Sequence, residues 1–484
     1  MFHLFSLQRF RQLTLLLLLF LMAKSISAGN EPDTLLREKS PYLVIGKIEI
    51  NGNKLTRRKI ITRELKFHEG DTVLSSALPT FLVTGKENVF NTRLFNFVTF
   101  DTVRIPGTVV LDIHITVIER WYIWPIPYFE IGDRNINVWW ETRDFSRLTY
   151  GVDFTFFNVR GRNETLKILT HFGFNKKFGF NYTVPYVNEK QTVGLGFGAE
   201  VDLNHEVPVT TIENQPVFEK DASSYLKQLR CGYLELRVRP NIYALHTLRC
   251  SYYSYYFADR VLAIPGFSLS NSNFQNFFSF NYLYKDDHRD IHYYPLTGYY
   301  FDAELNFSVP YSFTHNGYLK INLRKYWQLS KRWYFASGFT GKGSIEQEQP
   351  YFLAQGLGYG RDMVRGYEYF VIDGQHFALL KNNLKFALFP SRVCKLKFIH
   401  SSKFNTLPLA LYLNLYMDLG YVYNYGSSNQ RTHADYGNTL QNQLLAGFGS
   451  GLDFTTYYDI VIRMEFSVNA MGRPGFYLHF IAPI

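Results

Sequence analysis

The 484-residue chain has no apolar run long enough to cross a bilayer as a helix. Such a helix needs about 20 predominantly apolar residues, and the longest run, Leu13 to Met22, falls well short. Arg9 and Arg11 precede that run and the small residues Ser25, Ser27 and Ala28 follow it, so residues 1–28 read as a secretory signal peptide. No cysteine follows the run closely, which argues against a lipid-anchored N-terminus. Cysteine is scarce throughout: Cys231, Cys250 and Cys394 are odd in number and imply no disulfide framework. Cys231 and Cys250 flank a turn at Pro240–Asn241 and could approach across a hairpin, but they are expected to stay unpaired. No Gly-x-Ser-x-Gly elbow, Walker loop or dinucleotide fingerprint occurs, so neither enzymatic activity nor a cofactor is expected. The 51 basic residues exceed the 41 acidic ones, yet they are scattered, with no basic helix or stacking platform, which argues against a nucleic-acid partner.

What is abundant is aromatic side chains and alternation. With 44 Phe and 36 Tyr, aromatics reach 18% of the chain, which suits a sheet with a lipid-facing side and interfacial girdles. Four successive stretches lie between Leu148 and Val201. In the first, Leu148, Tyr150, Val152, Phe154 and Phe156 oppose Thr149, Gly151, Asp153 and Thr155; in the fourth, Val193, Leu195, Phe197, Ala199 and Val201 oppose Gly194, Gly196, Gly198 and Glu200. Period-two alternation marks strands with two unlike faces. It recurs to the C-terminus and predicts about sixteen strands, the last ending near Phe480. Short turns such as Pro185–Lys190, Pro240–Ala244 and Leu329–Arg332 alternate with longer polar stretches near 203–224, 258–275, 343–373 and 424–440.

A soluble sandwich would hide its aromatic rows against a second sheet. The signal peptide and the lack of a spanning helix favour instead an outer-membrane barrel over residues 124–484, oily outside and polar within. Its first strand is predicted around Ile126–Trp140, where Gly132, Asp133, Arg134, Glu141, Arg143 and Asp144 would weaken pairing at the seam. One connection, about 390–408, is long on the side where the others are short, and the pattern does not account for it.

Residues 41–120 read differently. A strand over Tyr42–Ile50 ends in the turn Asn51-Gly52-Asn53, and Thr56 is expected to cap a helix carrying Ile60, Ile61 and Leu65. After a break at Gly70–Asp71 come a helix from about Ser75 to Asn96 and two strands, Phe97–Arg104 and Val109–Glu119, an order of β-α-α-β-β. The segments Ile48-Glu49-Ile50-Asn51-Gly52-Asn53-Lys54-Leu55-Thr56, Ile61-Thr62-Arg63-Glu64-Leu65 and Asn91-Thr92-Arg93-Leu94-Phe95-Asn96-Phe97-Val98 resemble a POTRA domain, the periplasmic module of the BamA/TamA outer-membrane assembly superfamily. The resemblance implies handling of extended peptide by strand addition to a sheet edge.

Between the eleventh and twelfth predicted strands stands Val364-Arg365-Gly366-Tyr367-Glu368, which resembles the Val-Arg-Gly-Tyr motif on the sixth extracellular loop of that superfamily. The resemblance implies a loop tucked into the barrel, with Arg365 meeting acidic residues on the inner wall. Met417-Asp418-Leu419-Gly420 is similar to the family's Asp-x-Gly strand. Parity turns Asp418 inward with Tyr412, Asn414 and Tyr416, which makes it the partner predicted for Arg365. Lys385 stands where relatives often carry glutamate, so a second acidic partner stays open. The stretch from Asp287 to Gly298 resembles the family's Arg-Asp…Tyr-Pro…Gly turn, marking Arg289, Asp290, Tyr294, Pro295 and Gly298 as a periplasmic turn motif. That likeness explains the Arg-Asp pair without a metal ion, and none is expected at Asp286, Asp287, His288, Asp290 or His292.

The expectation is therefore a mainly β protein: an antiparallel transmembrane β-barrel of about 16 strands, preceded by one small α+β POTRA domain, in the cell outer membrane with the POTRA domain in the periplasm. The resemblance implies insertion or assembly of other outer-membrane proteins. The expected partners are unfolded outer-membrane proteins and outer-membrane lipid, with periplasmic accessory lipoproteins or chaperones as further candidates. A polypeptide translocator of the two-partner secretion type and a passive porin or structural barrel are the alternatives. Whether protein or lipid is the cargo stays open.

Overall fold

The computed structural model describes residues 41–131, 148–310, 316–346, 348–397, 399–401, 403–425 and 436–480. The predicted signal peptide, the charged stretch from Gly132 to Asp144 and the four C-terminal residues lie outside the described residues.

The small domain is a four-stranded sheet with two helices. Its elements are β1 (Tyr42–Asn51), α1 (Arg58–Thr62), β2 (Thr72–Leu74), α2 (Leu78–Asn91), β3 (Phe95–Arg104) and β4 (Val110–Glu119). The sheet order is β2-β1-β4-β3, with β1 and β4 parallel and the other pairs antiparallel. Alternate residues of β4, Leu111, Ile113, Ile115 and Val117, face a core shared with Ile45, Ile48, Ile60, Ile61, Leu94 and Phe95.

Three local expectations need correction. Thr56 does not cap α1: the cap position is Arg57, without a side-chain bond, while the buried Thr56 hydroxyl donates to Glu119 Oε1 at 2.7 Å. The Glu119 carboxylate, buried beside it, also accepts from the Thr56 and Leu55 N–H groups and so holds Thr56 away from the helix start. Helix α1 is a single turn that ends before Leu65, and α2 ends at Asn91, because Arg93 turns into left-handed backbone with φ 62°. The three-residue edge strand β2 is an additional element, too short to carry a readable alternation.

The barrel begins with β5 (Ile123–Ile131), β6 (Leu148–Val159), β7 (Glu164–Gly173), β8 (Lys176–Val184) and β9 (Val193–Asn204). A separate hairpin, β10 (Glu206–Ile212) and β11 (Gln215–Lys220), interrupts it before β12 (Lys227–Val238) and β13 (Ala244–Phe257). A short helix α3 (Asp259–Leu262) precedes β14 (Phe274–Asp287), β15 (Gly298–Pro310), β16 (Asn316–Gln328) and β17 (Trp333–Ser344). The next loop contains β18 (Gln355–Leu357) and β19 (Ile372–Asp373). The chain ends with β20 (His376–Lys395), β21 (Thr406–Tyr423), β22 (Leu444–Thr455), β23 (Val461–Asn469) and β24 (Pro474–His479).

Leaving out the hairpin and the two loop strands, these form one 16-stranded antiparallel sheet with β5 and β24 at its ends. Among the described residues, β5 and β24 share no ladder. Outward rows such as Phe476 and Leu478 on β24 are exposed, while inward rows such as Arg463, Glu465 and Ser467 on β23 are buried. This is the inverted arrangement of a membrane barrel.

The first barrel strand starts at Ile123, ahead of the predicted Ile126. The long connection near 390–408 also has an explanation. Strands β20 and β21 run on to Lys395 and Thr406, so the connection shrinks to residues 396–405 at the end of an extended hairpin. Cys231 pairs with Tyr253 and Cys250 with Leu234, so the two cysteines sit three registers apart, and both are free.

The small domain is docked on the barrel's near end. Tyr186, in the turn after β8, is buried in the domain's own core. Arg120 grips Asp459 with two bonds of 2.7 and 2.8 Å, and Arg239 grips Glu64 with two of 2.7 and 2.6 Å. Burial alone would raise the Glu64 carboxyl, but Arg239 and Arg63 outweigh it and hold the group below its ordinary range.

Candidate functional site

The loop between β17 and β20 folds back into the barrel around a small apolar cluster. Leu357, Val364, Tyr367, Phe370 and Ile372 pack on the inward side chains Phe377 and Leu379 of β20, Val422 of β21 and Leu445 of β22. Two glycines make this approach possible. Gly366 has φ 93°, a left-handed backbone that lets the chain reverse beside Asn469, whose Nδ2 donates to the Gly366 carbonyl at 2.8 Å. On β22, a Cβ at Gly447 would run into the Arg365 carbonyl oxygen. The Glu368 carboxylate closes the turn by accepting from the Gly366 N–H at 2.8 Å.

The tucked loop delivers Arg365 to the inner wall. Its Nε donates to Asp418 Oδ2 at 2.8 Å and its Nη2 to Asp418 Oδ1 at 2.5 Å, a bidentate fork. Nη1 donates to Asn383 Oδ1 at 2.8 Å and stands 3.5 Å from Glu465 Oε1. The guanidinium lies over the Tyr416 ring at 3.8 Å from its centroid. The Arg365 side chain is 3% exposed and those of Asp418 and Glu465 are 0%. So buried a charge needs this many partners, because neither the cation nor the anions retain water.

The ion network continues. Arg463 stands 3.3 Å from the same Glu465 oxygen and donates to Asp453 at 2.6 and 3.1 Å. Asp453 accepts from the Tyr294 hydroxyl at 2.7 Å, and the Lys385 ammonium sits 4.3 Å from the Tyr294 ring centroid. Tyr294 belongs to the turn between β14 and β15. The two motifs singled out in the sequence are thus the ends of one buried chain: Arg365, Glu465, Arg463, Asp453, Tyr294.

The rest of the turn motif faces the small domain. Arg289 forks onto Asp287 at 2.7 and 2.8 Å. Asp290 accepts from the Ile291 and Leu296 N–H groups at 2.8 and 3.1 Å, which rounds the turn before the buried Pro295 and before Gly298 opens β15. Asn91 at the end of α2 donates to the Asp290 carbonyl at 2.9 Å and accepts from the His292 N–H at 3.0 Å. Burial pushes the His292 imidazole down to about 4, leaving it neutral at physiological pH.

Sequence reasoning brought out Arg365, Asp418 and the turn, and it did not name Glu465, Arg463, Asp453 or Asn469. A signal existed. In Val461-Ile462-Arg463-Met464-Glu465-Phe466-Ser467-Val468-Asn469 every second residue is polar, so Arg463 and Glu465 share the inward row. Opposite them on β22 stand Gly447, Gly449 and Gly451, paired with Asn469, Ser467 and Glu465, which leaves room for large side chains. The second acidic partner of Arg365 is therefore supplied by β23, while Lys385 on β20 serves the Asp453–Tyr294 end.

An Omp85 superfamily domain matches residues 158–457, and a POTRA domain, described as a surface antigen variable number repeat, matches residues 43–120. No curated protein matches. Among solved structures, CdiB from Escherichia coli aligns over 90% of this chain and 75% of its own, at 11% identity and a TM-score of 0.50, a likeness of fold. BamA from Haemophilus ducreyi lacking POTRA domains 1–3 aligns over 90% of this chain and 83% of its own, at 16% identity and a TM-score of 0.49. CdiB from Acinetobacter baumannii aligns over 90% and 74%, at 14% identity and a TM-score of 0.49. The superfamily domain spans more than half of the chain and follows a POTRA module, so the chain belongs to the Omp85 superfamily.

Proposed function

We propose that this protein assists the insertion and assembly of other outer-membrane β-barrel proteins, with unfolded barrel polypeptides as its partners. As an Omp85 protein it sits in the outer membrane with its POTRA domain in the periplasm. The observation that carries the proposal is the terminal strand. β24 has six residues and starts Pro474-Gly475, whereas its neighbour β23 has nine and β20 and β21, further along the sheet, have 20 and 18. A short strand that starts with Pro and Gly pairs weakly, and an edge with free ladder groups is a template for an incoming strand.

The tucked loop supports this reading over a passive pore, since Arg365 and its partners occupy the lumen beside those last strands. In the proposal the Arg365–Asp418 pair locks the loop, the turn motif seats the POTRA domain, and no chemical step is involved. Depleting the protein and quantifying the outer-membrane proteome tests it. Barrel proteins should fall together. Loss of one exported polypeptide with barrels untouched would refute assembly and favour secretion.

A further inference from the structure

We infer that Glu368, Glu465 and His479 form a binding site for one divalent transition-metal cation of the Zn²⁺ type, tying the tucked loop to the last two strands. The three residues come from separate elements: the loop, β23 and β24. His479 Nε2 lies 3.3 Å from Glu465 Oε2 and 3.8 Å from Glu368 Oε1, and all three donor atoms fall within 4.8 Å of one another. Bonds of about 2.1 Å in a tetrahedral site put donor atoms about 3.4 Å apart, a spacing the two histidine–carboxylate separations bracket.

The rest of each carboxylate is already engaged, which aims the remaining oxygen at the common point. Glu465 Oε1 faces Arg463 and Arg365 at 3.3 and 3.5 Å, and Glu368 Oε2 accepts from the Gly366 N–H. Glu465 Oε2, Glu368 Oε1 and His479 Nε2 are buried and have no hydrogen-bond partner. The Glu465 side chain is 0% exposed and that of Glu368 10%. Such buried atoms are costly unless something receives them. The 3.3 Å approach of His479 to Glu465 does not make a hydrogen bond, so neither atom satisfies the other.

The donor set selects the ion class. One imidazole and two carboxylates suit Zn²⁺ and its first-row neighbours, whereas Ca²⁺ and Mg²⁺ take oxygen-only shells. Three protein ligands leave a fourth position open. A lumen cavity of about 180 Å³, lined among others by Arg361, Lys381, Glu465 and His479, gives water and the ion access to it. The neighbouring guanidiniums of Arg365 and Arg463 weaken a cation's binding, and their pairing with Asp418 and Asp453 offsets part of that effect. The site holds whether the protein assembles or exports its clients.

The test uses the purified full chain in detergent, stripped with EDTA and titrated with ZnCl₂ by calorimetry. One Zn²⁺ per chain should bind, and affinity should fall at least about tenfold in both His479→Ala and Glu368→Gln. Folding of each variant is checked by its heat-dependent gel mobility. Co²⁺ added to the unaltered protein should give the intense visible bands of a four- or five-coordinate site, a readout that needs no variant. Absence of those bands, or zinc affinity unchanged in folded His479→Ala, would overturn the inference. So would a cluster that gains stability only on acidification and ignores zinc, since His479 would then be a protonated ion-pair partner.

Discussion

Truncating Arg365 to alanine isolates the energetics of the tucked loop. The substitution removes a bidentate pair, a bond to Asn383 and the stack on Tyr416, and it leaves Asp418 at 0% side-chain exposure with the residue-365 backbone N–H at 3.2 Å from its Oδ2 and the cross-strand Lys381 as its remaining cation. Glu465 suffers less because Arg463 still faces it. Breaking one side of a buried pair costs about 3–5 kcal/mol, chiefly because the surviving charge is uncompensated. With Glu465 still served, the low end applies, about 3 kcal/mol, or roughly a hundredfold in the folding equilibrium. Lysine at 365 restores charge without the planar fork and should recover about half of that loss. Asp418→Asn should cost much less in the Arg365→Ala background than alone, since the buried charge is then gone. Urea unfolding of the purified chain, followed by gel mobility, supplies the free energies, and proteolysis of the 350–373 loop reports whether it has left the lumen. A loss below about 1 kcal/mol, the range of an exposed pair, would refute the reasoning.

Three further outcomes follow from the geometry. Gly447→Ala should expel the loop and destabilise the barrel by about 1–3 kcal/mol, because its Cβ would meet a backbone oxygen that cannot swing aside, whereas Gly232→Ala, in open space, should be silent in the same unfolding assay. Arg120→Ala should loosen the POTRA domain from the barrel, detected as faster proteolysis at the junction near Trp121, with a strong coupling to Asp459→Asn in a double-mutant cycle. Burial and the charge of Asp290 raise the Glu87 carboxyl from 4.5 to about 7, so its contribution to docking is complete below 4.5 and disappears as the pH rises through 7. The thermal midpoint should therefore decline between about pH 4.5 and 7 and level off above that, and Glu87→Gln should flatten that decline; an unchanged slope would exclude Glu87 as its source.

Alternation was enough to read the barrel, because a strand between lipid and water must change chemistry at every residue, and the two faces of β6 to β9 show this without any tertiary information. The parity of Asp418 followed from the same rule. Elements without a period were harder to read. β2 has three residues and α1 a single turn, and the C-terminal end of α2 was decided by how Thr92 and Arg93 leave the helix. The extension of β20 and β21 beyond their neighbours' ladders lay in a stretch whose composition resembles a loop, and only pairing between the two strands makes it a hairpin.

The sequence by itself thus determined the sheet and its oily and wet faces, since each depends on neighbours in the chain, while the loop that holds Arg365 was legible only through its resemblance to a family motif. The tertiary structure alone decided which inward side chains meet: Glu465 reaches Arg365, and Asp453, held by Arg463, reaches Tyr294, across a hundred and more residues of sequence. It also decided that the POTRA domain seats Tyr186 of a barrel turn in its core. Period-two patterning assigns a residue to a face. The partner it finds there depends on register, on strand tilt and on the space that Gly447, Gly449 and Gly451 leave open, and those are properties of many strands packed together.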